Sequence, residues 1–151
     1  MSDSGEFTLC LIVKDEEDFL EECLKSAAEH ATAIVVVDTG SMDRTVEIAS
    51  TFTNQVIQYP IENDFSQARN RALEHVATPW TVFLDADERF EPSQASKLQR
   101  ELRLIADDVL AVRLLRFNFF ATGGCYDFDV SRLRQNQLAI RRPVPPPDRQ
   151  L

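Results

Sequence analysis

Residues 8–41 read TLCLIVKDEEDFLEECLKSAAEHATAIVVVDTGS, and the fold is decided by how this stretch is parsed. Thr8 to Lys14 is a short, nearly continuous apolar run of strand length. From Asp18 onward, Phe19, Leu20, Cys23, Leu24, Ala27, Ala28 and Ala31 recur at helical spacing, with Glu16, Glu17 and Asp18 at the start, where the helix dipole favours acids. Ala33 to Val37 (AIVVV) is a second buried strand, ended by Asp38-Thr39-Gly40-Ser41. Strand, helix and strand in this order, with both strands apolar throughout, predict parallel pairing in a sheet buried on two faces.

The same rhythm continues outward. Val46, Ala49 and Phe52 line one face of a helix that Ser41 or Asp43 can cap, and Val56 to Tyr59 is a short strand closed by Pro60. Asp64 and Ser66 are candidate caps for a helix carrying Ala68, Ala72 and Val76 on its buried face. Trp80 to Leu84 (WTVFL) is a fourth strand running into Asp85-Ala86-Asp87-Glu88, and Pro92-Ser93 opens a helix with Ala95, Leu98, Leu102 and Ile105. After Asp108 the pattern changes. Val109 to Phe120 reads as an extended strand with a wetter face, Gly123-Gly124 breaks it, and Val130–Arg134 and Gln137–Arg141 are short strands before a tail with Pro143, Pro145, Pro146 and Pro147. The expectation is a three-layer α/β/α sandwich with a mostly parallel sheet.

At 151 residues, 44% of them hydrophobic and ten of them Phe, the chain is one domain able to bury a core without metal or disulfide staples. Cys10, Cys23 and Cys125 form no CxxC pair and have no matching His spacing, so they read as free thiols rather than as a disulfide framework or zinc site. His30 and His75 stand in no motif. The net charge of −9 argues against nucleic acid as a partner, since that requires Lys and Arg to displace counterions. The charge is uneven: residues 1–110 hold 22 acids and 9 bases, whereas residues 111–151 hold 3 acids and 7 bases. The polar start MSDSGEF is no secretory signal, and no apolar run reaches the roughly 18 residues of a membrane span, so a cytoplasmic location is expected.

Three acidic clusters fall at the carboxyl ends of three predicted strands: Lys14-Asp15-Glu16, Asp38-Thr39-Gly40-Ser41 and Asp85-Ala86-Asp87-Glu88. In a parallel sheet those ends share an edge, where ligands of such sheets bind. Converging carboxylates repel one another unless a cation or ligand compensates. Asp85 and Asp87, two apart in a strand-end turn, can approach one ion, and hard carboxylate oxygens with open positions suit Mg²⁺ or Mn²⁺ bridging a diphosphate. Asp38, at the rim of a buried sheet, can accept from a base NH or ribose hydroxyl; the same carboxylate can instead take the N–H groups of its own turn at Gly40 and Ser41, and both roles can coexist. Arg69, in the first turns of its helix, is suited to a carboxylate or phosphate.

LCLIVKDEEDFLEECLKS, VVVDTGSMDRT, NDFSQARNRAL and WTVFLDADE, in this order and at these spacings, resemble the family 2 glycosyltransferases of GT-A fold, in particular the branch with DTGS and DFSxARN motifs. The resemblance spans residues 7–91 and rests on four motifs in register. It implies a transferase using a nucleotide-diphospho-sugar donor, with inversion, on an acceptor hydroxyl of a glycan, lipid or protein. Lys14, Asp15 and Glu16 then border the nucleotide, Asp15 standing where the family more often has Asn; Asp38 contacts the base, Arg69 lines the same pocket, and Asp85 and Asp87 hold Mn²⁺ or Mg²⁺ on the diphosphate.

The resemblance also implies an acceptor-binding half beyond the DxD, which in this branch carries a His-Glu pair after an Arg-rich strand. Here no His or Glu follows Glu101, and Asp127 and Asp129 are the nearby acids from which a catalytic base can be drawn. The expected layout is a flexible stretch 1–6, a nucleotide-sugar-binding domain 7–122, a partial acceptor-side extension 123–142 and a proline-rich tail 143–151, a member truncated after its donor-binding half. An incomplete sheet would leave an edge for a second copy or another partner to cover. Two alternatives share some of these residues: a noncatalytic nucleotide-sugar-binding module that partners a longer enzyme, and a phosphatase-like hydrolase using Asp85 and Asp87. The second fits less well, because in such hydrolases the motif ends an early strand, whereas here it follows the fourth.

Overall fold

The computed structural model describes residues 5–61, 64–106, 108–120 and 123–134. Strands and helices alternate as β1 (Phe7–Val13), α1 (Leu20–Ala27), β2 (Ala33–Asp38), α2 (Thr45–Phe52), β3 (Val56–Gln58), α3 (Phe65–Leu73), β4 (Trp80–Phe83) and α4 (Gln94–Leu102), followed by the strands β5 (Ala111–Phe120) and β6 (Gly123–Arg134). One sheet results, in the order β3-β2-β1-β4-β6-β5. Its first four strands are parallel, while β6 runs antiparallel to both β4 and β5.

Alternation along the strands sorts the core into two layers. Leu9, Leu11 and Val13 of β1, Ile34 and Val36 of β2, and Trp80 and Val82 of β4 pack with Leu20, Cys23, Leu24 and Ala27 of α1, Ala49 of α2 and Leu98 and Leu102 of α4. On the opposite face Cys10, Val35 and Val37 meet Ala68 and Ala72 of α3 and the nearby Val76. The sandwich is therefore three-layered, with α1, α2 and α4 on one side and α3 on the other. Thr8, the polar residue within β1, is buried with its hydroxyl paired to that of Thr78 at 2.8 Å, and Thr78 in turn donates to the Trp80 carbonyl at 2.8 Å. That pairing removes the cost of a lone hydroxyl in the core.

Helix ends follow local chemistry in part. Asp64 caps α3, its Oδ1 accepting the Gln67 N–H at 3.1 Å. The apolar periodicity of α1 runs on to Ala31, yet the helix stops at Ala27 and the chain turns, with the amides of His30 and Ala31 both donating to the Ala27 carbonyl at 3.0 and 2.9 Å. This turn delivers Thr32, whose N–H reaches the Phe7 carbonyl at 2.9 Å, into β2. After Gly123 the chain does not break into short segments. A single strand, β6, covers the predicted Val130–Arg134 stretch and pairs along β5 from Gly123 onward, with an irregularity between Val112 and Leu114. The Gln137–Arg141 strand and the proline tail expected from the sequence lie outside the described residues.

Gly5 seats the start of the chain against α4. Its φ is +66°, and a Cβ there would lie 2.2 Å from the Gln99 carbonyl oxygen and 2.6 Å from Arg103 Cγ. Gly5→Ala is therefore expected to cost about 1–3 kcal/mol through overpacking and a left-handed φ. Urea unfolding measures this, and an unchanged midpoint would refute the close seat.

Candidate functional site

The carboxyl ends of β1, β2 and β4 lie side by side, because β1 is flanked by β2 and β4 in parallel register. Lys14–Glu17, Asp38–Arg44 and Asp85–Glu88 thus come to one edge of the sheet. Their proximity is expressed in Glu16, whose carboxyl is raised above its ordinary range first by partial burial and then by Asp87, Asp85, Asp43 and Asp15. Acids some 70 positions apart in the chain share one electronegative field.

The first two loops are stitched together by five reciprocal hydrogen bonds. The Asp15 N–H donates to Ser41 Oγ (2.9 Å), and the Met42 N–H donates back to Asp15 Oδ1 (2.7 Å). The amides of Glu16 and Glu17 donate to Thr45 Oγ1 (2.8 Å) and Asp43 Oδ2 (3.1 Å), while the Arg44 N–H returns to Glu17 Oε2 (3.0 Å). Asp15 has φ +54°, a left-handed conformation that, among residues with a side chain, Asn and Asp tolerate well. The geometry thus accommodates Asp15 at this left-handed position.

Asp38 is only 3% exposed and spends both oxygens on its own turn, accepting from the amides of Gly40 (3.3 Å) and Ser41 (3.2 Å) and from the Ser41 hydroxyl. Gly40 meets that turn at φ +117°, where a Cβ would be strained. Of the two roles open to Asp38 in the sequence, the turn-closing one is realised in the fold.

Asp85 and Asp87 are exposed on a tight turn whose middle residue, Ala86, is buried. The Glu88 N–H donates to the Asp85 carbonyl and the Asp85 N–H donates to Glu88 Oε2, both at 2.9 Å. Among the described residues no three acids, cysteines or histidines are grouped as a cage for a metal ion. A divalent cation carried on a nucleotide needs one or two carboxylates, the phosphates completing its shell, and the repulsive field around Glu16 is one such an ion would relieve. Asp85 and Asp87 fit that requirement.

Arg69 projects from α3 with its guanidinium 5.6 Å from the centre of the Phe83 ring. It lines an open cleft with Ile12, Phe65, Phe83, Leu84 and Asp85. Phe65, 69% exposed at this cleft, is absent from the sequence-derived site; its position inside DFSxARN was the available signal. Asp127 and Asp129 stand in β6 opposite Arg116 and Leu114 of β5. Since Arg132 pairs with Val82 in antiparallel sense, the backbone of β6 leading back to these two acids heads toward the carboxyl end of β4.

Fold and edge together define an α/β domain of the kind whose ligands bind beyond the carboxyl ends of its strands. The family model "Glycosyl transferase family 2" matches residues 8–123, and the chain belongs to that family. It is 35% identical over 137 residues to a TPR repeat-containing protein of Synechococcus elongatus, covering 91% of this chain and 33% of the relative. It is 31% identical over 140 residues to the lipopolysaccharide core biosynthesis glycosyltransferase LpsC of Rhizobium meliloti, covering 90% and 50%. The fold matches the mannosyltransferase PcManGT of Pyrobaculum calidifontis, solved in complex with GDP-Man and Mn²⁺, with a TM-score of 0.60 at 22% identity over 70% of this chain and 34% of that one. The chain thus spans between a third and half the length of these two curated relatives. Among the described residues no helix is long and apolar enough to cross a membrane.

Proposed function

We propose that residues 7–122 form the donor-binding domain of a glycosyltransferase, taking a nucleotide-diphospho-sugar at the carboxyl edge of the sheet and serving its transfer, with inversion, to a hydroxyl of a glycan, lipid or protein. The observation that carries this reading is the convergence of Glu16, Asp85 and Asp87 in one field on a domain of glycosyl transferase family 2. Asp85 and Asp87 would hold Mn²⁺ or Mg²⁺. Bound there, the ion supplies positive charge against the negative charge that builds on the departing nucleoside diphosphate.

The chain's own residues do the rest of the positioning. The stitched loops 14–17 and 38–45 present a rigid border to the nucleotide, with Lys14, Asp15 and Glu16 along it and Asp38 holding the turn that faces the base. Arg69, oriented over Phe83, offers its guanidinium to a phosphate or to Asp85 across the cleft. The base that deprotonates the acceptor would come from the acceptor side, which residues 123–142 begin, with Asp127 and Asp129 as the acids to examine. Family membership favours glycosyl transfer over phosphatase-like hydrolysis.

Calorimetry with UDP and GDP in the presence of Mn²⁺ tests the reading. Metal-dependent binding of one of them is expected, and incubation with the matching nucleotide-sugar then separates an enzyme, which releases the nucleoside diphosphate, from a binding module that does not. Absence of binding with either nucleotide and either metal would sink both.

A further inference from the structure

The acidic turn after β4 is gripped from outside by α1. Ser26 Oγ accepts the Phe90 N–H at 3.1 Å and donates to the Cys23 carbonyl at 2.7 Å. Three residues earlier on the same helix face, the buried Cys23 thiol donates to the Asp85 carbonyl at 3.5 Å. Glu22 adds an exposed contact with Arg89 at 4.0 Å. The segment Asp85–Phe90 is therefore pinned at both ends, with the mutual Asp85–Glu88 hydrogen bonds closing it in between.

This grip answers a physical need. Asp85 and Asp87 are exposed, share their field with Glu16, and have Ala86 as the buried anchor between them. Like charges on a short turn drive it open, and an open turn costs metal affinity because the carboxylates must be regathered when the ion binds. A thiol is a weak donor, so most of the restraint falls to the hydroxyl.

We propose that Ser26, assisted by Cys23, is a positioning residue that holds the Asp85–Phe90 turn so that the Asp85 and Asp87 carboxylates stand ready for a divalent cation and a diphosphate. This rests on the donor-binding reading above. Ser26 touches neither ion nor nucleotide; it acts through the backbone of Phe90. It belongs to the class of outer partners whose loss weakens a metal site while its ligands remain in place.

The test uses the full chain as wild type, Ser26→Ala, Ser26→Thr and Cys23→Ser, titrated with Mn²⁺ at saturating UDP or GDP, together with thermal melting and amide exchange at Phe90. Ser26→Ala is expected to weaken apparent Mn²⁺ affinity about tenfold at a temperature where it is fully folded. Its Phe90 amide should exchange faster relative to the amides of β1, and Ser26→Thr, which keeps the hydroxyl, should restore both. Cys23→Ser is expected to retain affinity within about threefold, since a hydroxyl can replace the thiol as donor. Wild-type Mn²⁺ affinity in folded Ser26→Ala, or a loss that merely tracks its unfolded fraction, would overturn the proposal while leaving donor binding intact. If the wild type itself binds no nucleoside diphosphate with metal, the donor-binding reading fails and this proposal fails with it.

Discussion

Asp87→Ala should abolish metal-dependent binding of the nucleotide-sugar, with turnover falling roughly a thousandfold, since a bound cation contributes several kcal/mol against developing phosphate charge. Asp85→Ala should do the same, and Asp85→Asn, which keeps shape without charge, should resemble it. The loss should not come from unfolding. Asp87 is exposed and raises the carboxyl of neighbouring Glu16, second only to partial burial, so its removal relieves repulsion and should leave the melting temperature unchanged or higher. A second signature accompanies it: in Asp87→Ala the Glu16 carboxyl should titrate at lower pH than in wild type. The sign follows from the raised value, because proton uptake by Glu16 is favoured while Asp87 is charged and less favoured without it. Carboxyl NMR reads the titration and calorimetry reads the metal. Wild-type Mn²⁺ and nucleotide affinity in Asp87→Ala would remove the acidic turn from the site.

Trp80→Ala should be the most damaging core substitution, at about 3–5 kcal/mol. Trp80 is fully buried at the start of β4, paired in register with Phe7 of β1 and Arg134 of β6, and its carbonyl takes the Thr78 hydroxyl. Removing the indole empties the layer between the sheet and α1, α2 and α4 where three strands meet. A domain of this size with 5–15 kcal/mol of stability would lose a large part of it, and a melting temperature lower by roughly 10 °C or more is expected. A shift of a degree or two would mean that the layer closes over the gap and that β4 is not held by this ring.

Where the candidate residues fall in the fold was largely legible because the signals are local. A five-residue apolar run ending in Asp38, or WTVFL ending in Asp85, announces a strand and its terminal acid in adjacent positions. Given parallel pairing, those ends must share an edge. Legibility stopped where roles depend on partners far along the chain. Ser41 and Asp43 read as possible caps and Thr45 carries no reading of its own, yet the three bind the amides of Asp15, Glu17 and Glu16, between 26 and 29 positions away. Asp43 accepts the Thr45 N–H at 2.9 Å, but the residue before α2 is Arg44, so the cap expected from Ser41 or Asp43 is shared between a turn and the neighbouring loop. Cys23 reads as a free thiol on the apolar face of its helix and Ser26 carries no reading of its own, and nothing in their surroundings pointed to Asp85 and Phe90, 62 and 64 positions on.

The β5–β6 pair makes the same point for the fold. Gly123-Gly124 reads as a break because glycine favours turns, and the strand-length patterns after it are weak. The strand does break there, β5 ending at Phe120 and β6 starting at Gly123, but β6 then runs back as one long strand, paired along β5 and joined to β4 at Arg132–Arg134, and those ladder hydrogen bonds outweigh poor intrinsic propensity. Sequence alone determined the alternation of strands and helices, the parallel core and the acids at its carboxyl edge, because periodicity, caps and strand-end residues act over a few positions. The tertiary structure decided which face each helix covers, where β6 enters, how the two loops lock and what grips the acidic turn. Those are outcomes of packing between distant segments, and their energies exist only once the segments have met.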